Sequence, residues 1–150
     1  MPDTESGTES GTKSGAWNHA DVEVRPSQIA GRGLFAAVGL PAGTVVLATG
    51  GTRGSTAEVA GLGVDFPNHS CDPNLGWVDE HRLATMTAVS ADEELVTDYA
   101  MCIVEPDWFL RCHCPSYRCR QMIEGTDWRI PQLQKRYAGW WAPHVPQPTP

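Results

Sequence analysis

Apolar and polar residues alternate in short bursts along this chain, and few bursts run longer than six residues. Asp21-Val22-Glu23-Val24-Arg25 alternates with period two, the signature of a strand with one covered face. Leu34-Phe35-Ala36-Ala37 follows a glycine turn and reads as a second strand. Gly43-Thr44-Val45-Val46-Leu47-Ala48 is a β-branched run opened by Pro41-Ala42-Gly43 and closed by Gly50-Gly51. Leu75 to Val78 and Arg82 to Val89 predict a hairpin around Asp79-Glu80-His81, and Leu95-Val96-Thr97 predicts another short strand. The clearest helix begins at Pro131, where a missing N–H costs nothing, continues through Gln132 to Tyr137, and stops near Gly139. Trp128, Leu133, Tyr137, Trp140 and Trp141 are expected to pack that helix onto the sheet. The pattern predicts a β-rich fold, mainly β with few short helices.

The ends differ from the middle. Residues 1–15 repeat Ser, Gly, Thr and Glu with no apolar residue after Met1, which predicts a disordered tail. Residues 143–150 form a Pro-rich tail expected to fray. With 150 residues the chain suits one domain with a modest core. No apolar run approaches a membrane span, and the N-terminus lacks the pattern of a secretory signal, so a cytoplasmic location is expected. The net charge of −7 opposes direct nucleic-acid binding, which draws its affinity from Lys and Arg. An acidic body suits a basic peptide better.

The candidate chemistry lies in cysteines. There are five, Cys71, Cys102, Cys112, Cys114 and Cys119. The odd count, in a chain without a signal, argues against a disulfide framework. Cys112-x-Cys114-x4-Cys119 offers three sulfurs from one polar loop, and Cys71 supplies a fourth from Asn68-His69-Ser70-Cys71-Asp72-Pro73-Asn74. Four thiolates are what a structural zinc site requires. His113 is an alternative ligand between two better ones, and Cys102 reads as a small buried hydrophobe. Such a metal would tie the C-terminal segment beside the Asn-His turn and build one wall of a pocket. Taken singly, the Gly31-Arg32-Gly33 turn, the Asn68-His69 pair and a tyrosine ending a strand at Tyr99 are ordinary local features.

Their order is not ordinary. Gly31-Arg32-Gly33-Leu34-Phe35, then Phe66-Pro67-Asn68-His69-Ser70-Cys71-Asp72-Pro73-Asn74, a hairpin, Glu94-Leu95-Val96-Thr97-Asp98-Tyr99 and the cysteine trio follow one another. This succession resembles the SET-domain protein lysine methyltransferases, in a short bacterial-type form with a cysteine-rich post-SET segment. The resemblance covers about Val22 to Ile123. It implies a β-clip-like fold in which the Asn-His segment threads a loop made by the Asp-Tyr segment. It implies a SET domain over 16–110 with a shortened central insert, and a post-SET zinc segment with a C-terminal helix over 111–142. S-adenosylmethionine would be held by Arg32, Gly33, Leu34, Asn68, His69 and Tyr99, with Ile123 covering the adenine. Tyr99 would be the catalytic residue, and Cys71, Cys112, Cys114 and Cys119 would hold structural Zn2+. The implied partner is a protein with an exposed lysine in a basic segment, with no nucleic acid and no membrane. The oligomeric state is open, a dimer included.

The chain departs from the family pattern at Asp65, where Arg is usual, at Val96 for Thr, and at Gln121 for Gly. Ala48 to Phe66 is short and glycine-rich, with no aromatic residue between Phe35 and Phe66. The alternatives to a lysine methyltransferase are a catalytically weak or inactive SET module that serves as a zinc-stabilised cofactor-binding or interaction domain, and a plain zinc-stabilised β domain.

Overall fold

In a computed structural model, residues 16–49 and 66–147 are described. The expected tail over 1–15, Asp65 and most of the Ala48–Phe66 stretch lie outside the described residues, as do 148–150. The fold is β-rich with one short α-helix among the described residues. Its strands are β1 (Ala16–Asn18), β2 (Val22–Pro26), β3 (Arg32–Ala36), β4 (Val45–Thr49), β5 (Asn68–His69), β6 (Leu75–Trp77), β7 (Arg82–Thr85), β8 (Glu94–Thr97), β9 (Phe109–Arg111) and β10 (Met122–Glu124). Helix α1 spans Pro131–Arg136, and 3-10 turns cover Tyr99–Met101 and Asp127–Arg129.

The main sheet runs β1-β4-β7-β6-β8-β3-β2, with β5 attached to β8. Strand β2 sits at one edge, where its terminal Pro26 removes no ladder bond from a further neighbour. The expected hairpin is present as β6 and β7, antiparallel with Trp77 opposite Leu83. Strand β7 stops at Thr85, short of the anticipated Val89, which instead bridges to Leu40.

Strand β8 organises the site. It pairs antiparallel with β3 through Leu34 and Leu95, and parallel with β5 through Asn68–Val96 and His69–Thr97. The residues after β8 therefore emerge beside Asn68 and His69. Asn74 closes the bend between β5 and β6. Its Oδ1 accepts the Val96 N–H at 2.9 Å and its Nδ2 donates to the Glu94 carbonyl at 2.9 Å, so a side chain completes the ladder.

The core holds Leu34, Val46, Leu47, Leu75, Trp77, Leu83, Leu95, Met101 and Ile103. Leu133, Tyr137 and Trp141 join it from the C-terminal segment, as the aromatic pattern predicts. A six-residue helix has little stability alone, so this packing is what holds α1. Gly139 takes φ +88°, the left-handed conformation of a helix stop.

The ribbon of β9 and β10 was not legible in the sequence. It is two-stranded and antiparallel, with Leu110 opposite Ile123, and it carries the cysteine loop at its end. A second small cluster, Cys71, Cys112, Cys114 and Ile123, lies beneath it. Trp108 packs against both clusters.

Candidate active site

The fold brings the four expected cysteines together. The sulfurs of Cys71, Cys112, Cys114 and Cys119 all lie within 4.8 Å of one another, and Cys71 Sγ is 3.9 Å from Cys112 Sγ. A tetrahedron with metal–sulfur bonds of about 2.3 Å has sulfur–sulfur edges of about 3.8 Å, so the spacing fits a four-thiolate metal site. His113 is exposed and lies outside the sulfur group. Cys102 is buried in the main core, the hydrophobe its sequence context suggested.

The backbone prepares these sulfurs. Arg120 N–H donates to Cys71 Sγ at 3.2 Å and Cys114 N–H donates to Cys112 Sγ at 3.4 Å. Burial pushes the Cys71 thiol up to about 11, against the pull of the Arg120 N–H. Burial also raises Cys112. Burial opposes ionisation of Cys114 too, but N–H groups of Cys71 and Ser116 and the sulfur contacts bring it down to about 7. A bound cation would displace the remaining protons.

Gln121 follows this loop with φ +68°, an uncommon conformation for a residue with a Cβ. The glycine expected there from the family pattern thus has a backbone reason, and this chain meets the requirement with Gln.

His69 links the sulfurs to Tyr99. Its Nδ1 accepts the Tyr99 N–H at 3.0 Å, so the proton lies on Nε2, which faces Cys71 Sγ at 3.4 Å. Burial lowers the His69 pKa to about 4, and Arg120 adds to this while Asp98 opposes it, so the ring is neutral at pH 7. Tyr99 donates its hydroxyl to the Pro67 carbonyl at 2.7 Å. Burial raises its pKa well above the usual value, so the phenol is fully protonated. The rings of Phe66, His69 and Trp108 surround it at centroid distances of 6.0, 5.2 and 6.1 Å.

Asn68 fixes the glycine turn. The two hydrogens of its amide are shared among three acceptors, the carbonyls of Ala30 and Arg32 at 3.0 and 3.1 Å and Glu94 Oε2 at 3.0 Å. A Cβ on Gly33 would collide with the Glu94 carboxylate and crowd the Asn68 amide. Glycine is needed here for close approach.

Sequence reasoning missed a buried ionic network. Asp98, fully buried, accepts a two-pronged contact from Arg120 at 2.8 and 3.0 Å, and also the Tyr137 hydroxyl at 2.7 Å and the Ala100 N–H at 2.9 Å. Arg120 reaches Asp127 as well, at 3.1 Å. Burial would raise the Asp98 carboxyl, but the Arg120 fork outweighs it and holds the group below the ordinary carboxylate range. This network ties the residue before Tyr99 to the residue after Cys119 and to Tyr137 at the end of α1. The adjacency of Asp98 to Tyr99 was its only signal in the sequence.

Between the Asn-His strand and the ribbon lies a cavity of about 300 Å³. Asn68, His69, Tyr99, Trp108, Leu110, Arg111 and Cys112 line it, with Ile29, Ala30 and His113. Of the expected cofactor residues, Asn68, His69 and Tyr99 meet there. Gly33 stands behind Asn68, and Arg32 is exposed. Leu34 and Ile123 are fully buried in the main core and the sulfur-side cluster, and their side chains line neither wall. A larger cleft of about 590 Å³ lies alongside and shares Ile29, lined by Asp72, Asp92, Glu93 and Glu94 but not by Tyr99.

No family model matches the chain, and no curated protein matches it. Among solved structures, the crystal structure of KRYPTONITE in complex with mCHG DNA and SAH is similar at 23% identity and a TM-score of 0.47. The match covers 67% of this chain and 28% of that one, so the chain spans under a third of the KRYPTONITE structure. No helix among the described residues is long and apolar enough to cross a membrane.

Proposed function

We propose that this protein transfers a methyl group from S-adenosylmethionine to a lysine side chain of a protein, as a small SET-domain enzyme with a zinc-held lid. The observation that carries the reading is the cavity itself. Two distant segments wall it, one ending at Asn68-His69 and Tyr99 and the other at the cysteine loop, and the sulfur cluster joins the two. At about 300 Å³ it lies at the small end of small-molecule sites, which run from about 300 to 1,000 Å³.

S-adenosylmethionine would supply a methyl on a sulfonium centre, open to in-line displacement. Asn68, His69 and Tyr99 would meet it from β5 and β8, and Leu110 and Trp108 from the ribbon. A nucleophilic lysine must be neutral, yet its ordinary pKa is near 10.4. The rings of Tyr99, Phe66 and Trp108 offer a desolvating surround that disfavours the ammonium. Orientation of the two reactants supplies much of the rest, up to roughly 7–11 kcal/mol in the best cases. Tyr99, protonated and bound to the Pro67 carbonyl, serves to orient and not as a base. Zn2+ in the four-thiolate site would be structural, with Arg120 N–H and His69 Nε2–H supporting Cys71.

One observation favours a second reading, a zinc-stabilised module without catalysis. The Asn68 amide already has three acceptors within the protein. Calorimetric titration of metal-analysed protein with S-adenosylhomocysteine tests the first reading. Saturable binding at one site is expected. Absence of binding to zinc-loaded protein rejects the cofactor assignment, and binding without transfer to any lysine substrate supports the module.

A further inference from the structure

The ribbon borders two cavities, and the proposed cofactor site is one of them. Leu110 lies opposite Ile123; Ile123 is fully buried, and Leu110, 38% exposed, lines the inner cavity. Phe109 lies opposite Glu124. Phe109 is 68% exposed and Met122 37%. A second cavity, about 350 Å³, opens there, lined by Pro106, Asp107, Trp108, Phe109, Met122 and Glu124. Exposing a phenylalanine forgoes the gain of burying it, and here the exposed ring lines a concave site.

The lining is of one chemical kind. It combines aromatic rings, a thioether and two carboxylates, and among the described residues no cation lines it. Arg111, the one cation on the ribbon, lies opposite Met122 and lines the inner cavity. Aromatic faces beside carboxylates attract alkylammonium groups through the ring quadrupole and through charge. Trp108 belongs to both cavities, and its ring is 6.1 Å from that of Tyr99. The two sites therefore stand back to back with one indole between them.

We propose that the outer groove of Asp107, Trp108, Phe109, Met122 and Glu124 docks a lysine-rich segment of the protein substrate, with Trp108 as the partition between docking site and methyl-transfer site. The idea rests on the methyltransferase reading, and adds where the substrate is gripped. A cationic strand laid over Phe109 and Met122 would cover their exposed apolar surface and meet Asp107 and Glu124 in the same contact.

Fluorescence anisotropy on the zinc-loaded full chain tests this, using a labelled ten-residue peptide of alternating Lys and Ala and its Glu-for-Lys counterpart. The Lys peptide should bind and weaken with salt, and the Glu peptide should not bind. Phe109→Ser and Glu124→Lys should each weaken the Lys peptide by about tenfold or more. Tyr117→Ser, on the 88%-exposed residue of the cysteine loop, should leave it unchanged. Failure of the Lys peptide to bind, equal binding of the Glu peptide, or wild-type affinity in both groove variants would each overturn the proposal. Titration of the same variants with S-adenosylhomocysteine separates the cases, because a groove that fails while cofactor affinity persists leaves the methyltransferase reading standing.

Discussion

Tyr99 has three constraints. Its N–H is bound to His69, its hydroxyl to Pro67, and its ring is enclosed by Phe66, His69 and Trp108. Tyr99→Phe removes the hydroxyl alone, so the fold should persist. The expected result is a slower transfer or a changed number of methyls, read by mass spectrometry on any accepted substrate. Wild-type rate and product would remove the hydroxyl from the site. Gln121 presents a different case. Its φ of +68° carries a steric cost that glycine lacks, while glycine adds entropy to the unfolded chain. Gln121→Gly should therefore raise stability by a net of about 0.5–1 kcal/mol in urea denaturation. No gain would show that the Gln side chain supplies a compensating contact.

Among elements, the ribbon and the β8 end are joined through two kinds of contact, sulfur and ion pair. Cys71→Ser removes one of four ligands and should abolish stoichiometric zinc and loosen β9 and β10, as read by metal analysis and hydrogen exchange. Unchanged metal content and protection would contradict the four-thiol site. Arg120→Ala leaves Asp98 buried and unpaired, which should cost about 3–5 kcal/mol. Tyr137→Phe removes one hydrogen bond to the same carboxylate and should cost less, about 1.5–3 kcal/mol. The pH dependence follows from the depressed Asp98 pKa. The folded carboxyl binds its proton later than the unfolded one, whose pKa is near 3.9, so the contribution is present above about pH 4. It is lost as pH falls through the folded value. Asp98→Asn should lower stability at neutral pH and flatten this acid limb; an acid limb of wild-type steepness would assign it to other carboxylates.

At the scale of the whole molecule, one cavity depends on two distant parts of the chain. Ion binding at the sulfurs would position Leu110 and Cys112 on one wall, and His69 connects Cys71 to Tyr99 on the other. Metal and cofactor should therefore be linked, each strengthening the other by the same factor. Chelation is expected to weaken S-adenosylhomocysteine binding, and saturating S-adenosylhomocysteine to slow metal loss to a chelator. Equal affinity with and without metal would uncouple the two sites.

Much of this was legible in residue order. The alternation of Val22-Glu23-Val24, the β-branched run after Pro41, the turn at Asp79 and the proline-to-glycine span of α1 report local preferences, and those are written in adjacent residues. The four sulfurs were legible too, because metal ligation restricts residue type and spacing. Tertiary structure decided what depends on distant pairing. Asp98, Arg120 and Tyr137 meet only after β8, the cysteine loop and α1 have packed, and no period in the sequence marks them. The ribbon's strands are three residues each, too short to show alternation, and only their pairing sets Leu110 opposite the buried Ile123 and Phe109 opposite Glu124. The same pairing places Ile123 under the sulfurs, where burial of an isoleucine is favourable.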